Sequence, residues 1–249
     1  MKIKAFIPNF VTLLNLFCGS IAIILVVNNQ FVLAGVFVFL GIFFDFFDGL
    51  LARKLNVQSE LGIQLDSLAD MVTSGLVPGL IMYKLLELAT NSQGINLNAS
   101  WSDHMFWSGV KFNPVPFLGL LITLSSAYRL ARFNLDEDQQ TYFKGLPTPA
   151  NALLILSLPL ILEFQNNDIT NATILNPIFL IIITLISTYL LNSPVKLFAL
   201  KFKTYAFKPN AVRYIFLILA VVLLFVLQFA AIPLVILLYI LLSLFNTIK

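Results

Sequence analysis

From Phe31 to Phe44 the chain carries no charged side chain, and five of those residues are phenylalanine: Phe31, Phe37, Phe39, Phe43 and Phe44. A spanning helix needs about 20 mostly apolar residues. Runs of that kind recur along the chain at about 9–27, 31–51, 65–86, 116–133, 149–164, 177–191, 212–227 and 230–245. The fifth and sixth are short, and only Gln228 and Pro233 mark a turn between the last two. Charged residues make up 11% of the 249 positions, against roughly 25% in soluble domains. The expected fold is an all-α integral membrane protein, a bundle of about eight transmembrane helices forming a single domain over 1–249. No soluble domain is left over and no internal repeat is visible.

The basic residues set the expected orientation. With the N-terminus in the cytoplasm, thirteen of the fifteen Lys and Arg residues fall on that side, Lys2, Arg53, Arg129, Lys144 and Lys249 among them, and only Lys84 and Lys111 on the other. The bias requires an even number of spans, with both termini cytoplasmic. The first apolar run is long enough to span and shows no cleavage site, so it does not read as a removed signal peptide. The outer loop at about 89–114 holds Trp101, His104 and Trp107; the tryptophans read as interfacial anchors and His104 as a surface residue. The sole cysteine, Cys18, excludes an intramolecular disulfide and reads as a small buried side chain.

The acids are unevenly placed. Four of twelve, Asp45, Asp48, Asp66 and Asp70, fall within one short stretch bordering or entering apolar runs. Ionisable groups in spanning segments are costly and mark function by default. On a helix Asp45 and Asp48 are about 60° apart, and Asp66 and Asp70 about 40° apart, so each pair shares a face. Gly49 and Ala52 lie on the first face and Gly62 on the second, so small residues allow close approach. Carboxylates that close repel unless a cation compensates. Either the acids pair with Arg53, Lys54 and neighbouring bases, or they hold Mg2+ or Mn2+, which favour oxygen ligands and suit a diphosphate substrate.

The run from Asp45 reads D-x2-D-G-x2-A-R-x8-G-x3-D-x3-D. At every fixed position it resembles the motif of the CDP-alcohol phosphatidyltransferases. The resemblance covers a core of about 1–192, with an extra helical pair at about 212–245. It implies a homodimeric helical enzyme of a cell membrane, with a polar cavity facing the cytoplasm. By position in the motif, Asp45, Asp48, Asp66 and Asp70 would bind the metals, Asp70 would also be the general base, and Gly49, Ala52 and Arg53 would lie against the nucleotide and its phosphates.

Three further segments are similar to the phosphatidylserine synthase branch. In the first, Asn9, Thr12 and Asn15 are polar residues at helical spacing; they line the cytidine pocket or hydrogen-bond a neighbouring helix. In the second, Arg129 and Arg132 share a face; they clamp an acceptor carboxylate or phosphate or snorkel to lipid headgroups. In the third, Gly145, Pro147, Pro149 and Asn151 form the entry to the fifth span. The basic stretch 196–213 reads as a contact for anionic lipid headgroups. The expectation is a transfer from CDP-diacylglycerol to L-serine with release of CMP, and no nucleic-acid partner. The alternatives are glycerol 3-phosphate or inositol phosphate as acceptor and, from another class, a divalent cation transporter.

Overall fold

The computed structural model describes residues 3–92, 113–135, 142–198 and 207–247. Helix α1 (Ile3–Val27) and α2 (Phe31–Lys54) form an antiparallel hairpin packed along its length. Its turn places Asn29 at φ 59, a left-handed conformation that Asn tolerates through its short polar side chain. A second Asn, Asn56 at φ 51, turns the chain out of α2. Ser59 then caps α3 (Glu60–Asp70), its Oγ accepting from the Gly62 N–H at 3.1 Å. A π-helical segment (Met71–Leu76) carries α3 straight into α4 (Val77–Ser92). A 3-10 turn (Val115–Leu120) opens α5 (Leu121–Leu135). Next come α6 (Thr148–Phe164), the short α7 (Asp168–Ile174) and α8 (Pro177–Asn192). Last are α9 (Phe207–Leu227) and α10 (Ala231–Thr247).

The described residues are predominantly helical and arranged in eight runs, α3–π–α4 counted as one and α7 with α8 as another. Four stretches are long and apolar enough to cross a membrane: Phe6–Val27, Phe31–Lys54, Glu60–Thr90 and Asn210–Phe245; the α7–α8 pair, bent by 60°, makes a possible fifth. The last stretch is nominally one helix, but it folds back. Phe216 and Tyr239 would stand about 35 Å apart on a straight helix at 1.5 Å per residue, yet their ring centroids are 5.5 Å apart. Gln228 at φ 48 makes the reversal, at the turn expected from the sequence.

Three features lie outside the sequence expectation. Helix α1 starts before residue 9 and takes in Pro8. A two-stranded antiparallel ribbon joins β1 (Tyr142–Lys144) to β2 (Lys196–Phe198), tying the α5–α6 and α8–α9 connections together. Beside it, Gly145 adopts φ 74, and a Cβ there would stand 2.5 Å from the Leu191 carbonyl oxygen, so only glycine fits. The third is the π segment, a feature that often marks a functional position in a helix. It inserts Thr73 against the α1–α2 hairpin, where Thr73 Oγ1 donates to the Asn15 carbonyl at 3.2 Å. A Cβ at Gly41 would come within 2.7 Å of Thr73 Cγ2 and 2.9 Å of Asn15 Oδ1, so the missing side chain is what admits this contact.

The apolar core lies along the middle of the bundle, where Val38, Ile81, Leu85, Ile122, Leu156 and Leu180 are all at most 1% exposed. The outer faces are apolar as well: Phe46, Leu124 and Phe225 are 62%, 66% and 85% exposed. Large apolar side chains on both sides of a helix are expected where lipid is the outer solvent. Loop residues Trp101, His104 and Trp107, and the basic positions 199–206 with Lys2, Lys111 and Lys249, lie outside the described residues.

Candidate active site

Helices α2 and α3 both pack against α1, and α2 also packs against the π segment. This packing brings carboxylate oxygens of Asp45, Asp48 and Asp66 within 4.8 Å of one another. Asp48 is buried, and its Oδ2 has no hydrogen-bond partner. Asp70 stands outside that group of three. It accepts a hydrogen bond from Asn15 Nδ2 at 3.3 Å and lies within side-chain reach of Asp45. Thr73 is three residues further along the same continuous helix, so its bond to the Asn15 carbonyl and the Asn15 bond to Asp70 fix α1 against the acid-bearing helix at two adjacent points.

None of the four aspartates is ion-paired: among the described residues the recorded salt bridge is Lys84–Glu87 at 2.9 Å. Pairing with Arg53 and Lys54 therefore does not explain the cluster. Three converging carboxylates without a counter-charge, one with an orphaned buried oxygen, form a donor set that fits a divalent cation with oxygen ligands.

A polar cavity of about 340 Å³ opens beside the cluster. Its walls include Asn9, Thr12, Asp48, Gly49, Ala52, Arg53, Gly62 and Asp66, so the residues expected at the nucleotide share one cavity with two of the acids. A Cβ on Gly49 would meet nothing closer than Arg53 Nη2 at 4.0 Å; this glycine faces open space. Gln58 and Ser59 also line the cavity and were not singled out from sequence. They sit in the α2–α3 connection, where nothing separates a ligand contact from a helix cap.

Arg129 and Arg132 part company. Both line a narrow crevice with Lys144, Asn192 and Ser193. Arg129 is 8% exposed, its Nε has no partner, and it lies close enough to Asp70 and Tyr239 to interact electrostatically with both. Arg132 is exposed. The i, i+3 spacing placed them on one face but did not show that α8 and the ribbon bury only one of them. Asn151 is fully buried with both amide atoms unpartnered. Lys144 and the Asn192–Ser193 pair were missed from sequence; they read there as a loop base and a span end.

A larger cavity lies elsewhere. About 900 Å³ of apolar space lies between α2, α6 and the α9–α10 hairpin, bounded by Phe39, Leu153, Phe229 and Tyr239 among others. It contains no acid, so the chemistry is assigned to the smaller polar cavity.

An all-α bundle with apolar outer faces and a carboxylate cluster at a polar cavity fits a membrane enzyme. The sequence model of the CDP-alcohol phosphatidyltransferase family matches residues 5–246, and the chain belongs to that family. It is a transferase, and the cation-transporter reading falls. Among its relatives, the CDP-diacylglycerol–serine O-phosphatidyltransferase of Bacillus subtilis is 32% identical over 195 residues, covering 77% of this chain and 89% of the relative. The protein of the same description from Methanocaldococcus jannaschii is 31% identical over 180 residues, 72% of this chain and 69% of the relative. The archaetidylserine synthase of Methanothermobacter thermautotrophicus is 29% identical over 161 residues, 63% of this chain and 59% of the relative.

Proposed function

We propose that the protein transfers the phosphatidyl group of CDP-diacylglycerol to the hydroxyl of L-serine, releasing CMP and forming phosphatidylserine. The observation that carries this reading is the juxtaposition of the polar cavity at Asp48, Gly49 and Arg53 with a buried arginine beside Asp70. It is supported by relatives that are themselves serine O-phosphatidyltransferases. Asn9, Thr12, Gly49, Ala52 and Arg53 take the cytidine and its diphosphate. Asp45, Asp48, Asp66 and Asp70 form the metal site, filled by Mg2+ or Mn2+. When bound, the metal supplies neutralisation of charge on the diphosphate oxygens.

Asp70 accepts the serine hydroxyl proton. The serine oxygen forms a bond to the phosphorus that carries the lipid, the bond from that phosphorus to the bridging oxygen breaks, and CMP leaves with the electron pair. Asn15 holds the Asp70 carboxylate in place through the Nδ2–Oδ1 hydrogen bond. Arg129 grips the acceptor carboxylate, which a guanidinium matches with two parallel bonds; Arg132 closes the outer edge. The enzyme works as a homodimer in the cell membrane, with eight spans, both termini cytoplasmic and the site facing the cytoplasm. The test supplies purified protein in detergent with CDP-diacylglycerol and, in parallel, labelled L-serine, glycerol 3-phosphate and inositol phosphate. Label from serine in phosphatidylserine, with stoichiometric CMP, is the expected result. Label only from one of the phosphorylated alcohols overturns the acceptor assignment.

A further inference from the structure

The α9–α10 hairpin carries none of the motif residues, yet one of its side chains holds the ribbon that borders the Arg129 crevice. Tyr239 borders the apolar cavity and lies close enough to Arg129 for the two to interact electrostatically. Its hydroxyl donates to the Phe198 carbonyl at 2.8 Å. One helical turn on, Ser243 Oγ accepts from the Phe198 N–H at 3.4 Å and donates to the Tyr239 carbonyl at 2.7 Å. Both backbone polar groups of Phe198 are thus taken up by α10, and the Phe198 ring packs edge-on against Tyr239 with centroids 5.0 Å apart. Phe198 belongs to β2, which pairs with β1, and β1 delivers Lys144 to the crevice that Arg129 lines. From these contacts we infer that Tyr239 is a positioning residue for the acceptor: by bonding β2, it sets the ribbon that borders the Arg129 crevice in the geometry that receives the acceptor carboxylate.

The inference rests on the assignment of Arg129 to the acceptor, so the experiment measures both. Purified full-length protein in detergent is assayed with CDP-diacylglycerol and L-serine. Tyr239→Phe keeps the ring and deletes the hydroxyl. One hydrogen bond is worth about 0.5–1.5 kcal/mol, so the KM for serine should rise about two- to tenfold. The KM for CDP-diacylglycerol and the rate at saturating serine should stay unchanged. Ser243→Ala, which removes the acceptor of the Phe198 N–H, should act in the same direction more weakly, and it carries the test if Tyr239→Phe fails to fold. Combined with Arg129→Lys, Tyr239→Phe should add little to the serine KM, because both act through one contact. If Arg129→Lys raises the serine KM and the Tyr239 and Ser243 variants leave it alone, the positioning role is overturned and the arginine assignment survives. A uniform rise in both KM values with a fall in melting temperature also overturns it. An unchanged serine KM in Arg129→Lys removes the acceptor assignment, and the positioning role with it.

Discussion

The two sides of the site are built differently. The proposed nucleotide side comes from one short stretch of chain: α2, a capped turn and α3 supply Asp45, Asp48, Gly49, Arg53, Gly62 and Asp66, with α1 as the back wall. The proposed acceptor side is drawn from α5, β1 and the end of α8, with Tyr239 of α10 bonded to β2. On the first side, helix spacing and one short connection, packed on α1, bring the groups together. On the second, their positions depend on long-range packing and on a two-stranded ribbon. The contrast implies that substitutions on the nucleotide side act on chemistry with little change in fold, whereas the acceptor side responds to changes at a distance.

The largest expected effect breaks the nucleotide side outright. Asp48→Asn should abolish CMP release while the protein stays folded. A neutral amide is a poor ligand for a hard cation, and removing one of several unpaired carboxylates relieves repulsion. Turnover at the normal rate with ordinary metal concentrations would remove Asp48 from the metal site; a folded melting profile checks the second half. Next comes Asp70→Asn. A general base contributes about 10²–10⁴-fold, so kcat should fall by that order with CDP-diacylglycerol binding largely kept. Loss of nucleotide binding that high metal restores would make Asp70 chiefly a ligand.

The comparison is sharpened on the acceptor side by Arg129→Lys. Loss of a bidentate charged contact is worth about 1.5–3 kcal/mol, so the serine KM should rise roughly 10- to 100-fold, while Arg132→Lys, at the exposed position, should do much less. Equal effects would mean that burial does not separate the two. The smallest effects come from two glycines on the same helix. Gly41→Ala should lower the melting temperature, since its Cβ would press on Thr73 and Asn15 and overpacking costs about 1–3 kcal/mol. Gly49→Ala should hold or slightly raise it, because Ala is the better helix residue by about 0.5–1 kcal/mol, while the KM for CDP-diacylglycerol rises. The opposite pattern would exchange their roles, making Gly49 the packing glycine.

Much of the helical layout was legible in the sequence because apolar length and charge breaks are local properties. The eight helical runs, including the reversal at Gln228, follow from them. The convergence of Asp45, Asp48 and Asp66 was legible for the same reason: spacing on a helix fixes a face, and the short connection between two helices limits which faces can meet. The π segment was not legible, because the run from Glu60 to Thr90 reads as continuous helix and only the fit of Thr73 against Gly41 and Asn15 accounts for the altered turn.

By itself the sequence determined a helical chain of long apolar runs and the carboxylate wall of its polar cavity. Only the tertiary structure decided which of two arginines is buried, that β1 pairs with β2 across the intervening α6–α8, and that α10 holds β2 through Tyr239. The physical reason is the solvent. In water, an apolar stripe tells which face of a helix turns inward. In a bilayer the outer face is apolar too, so hydrophobic pattern no longer selects the partner, and close packing and polar contacts must do so.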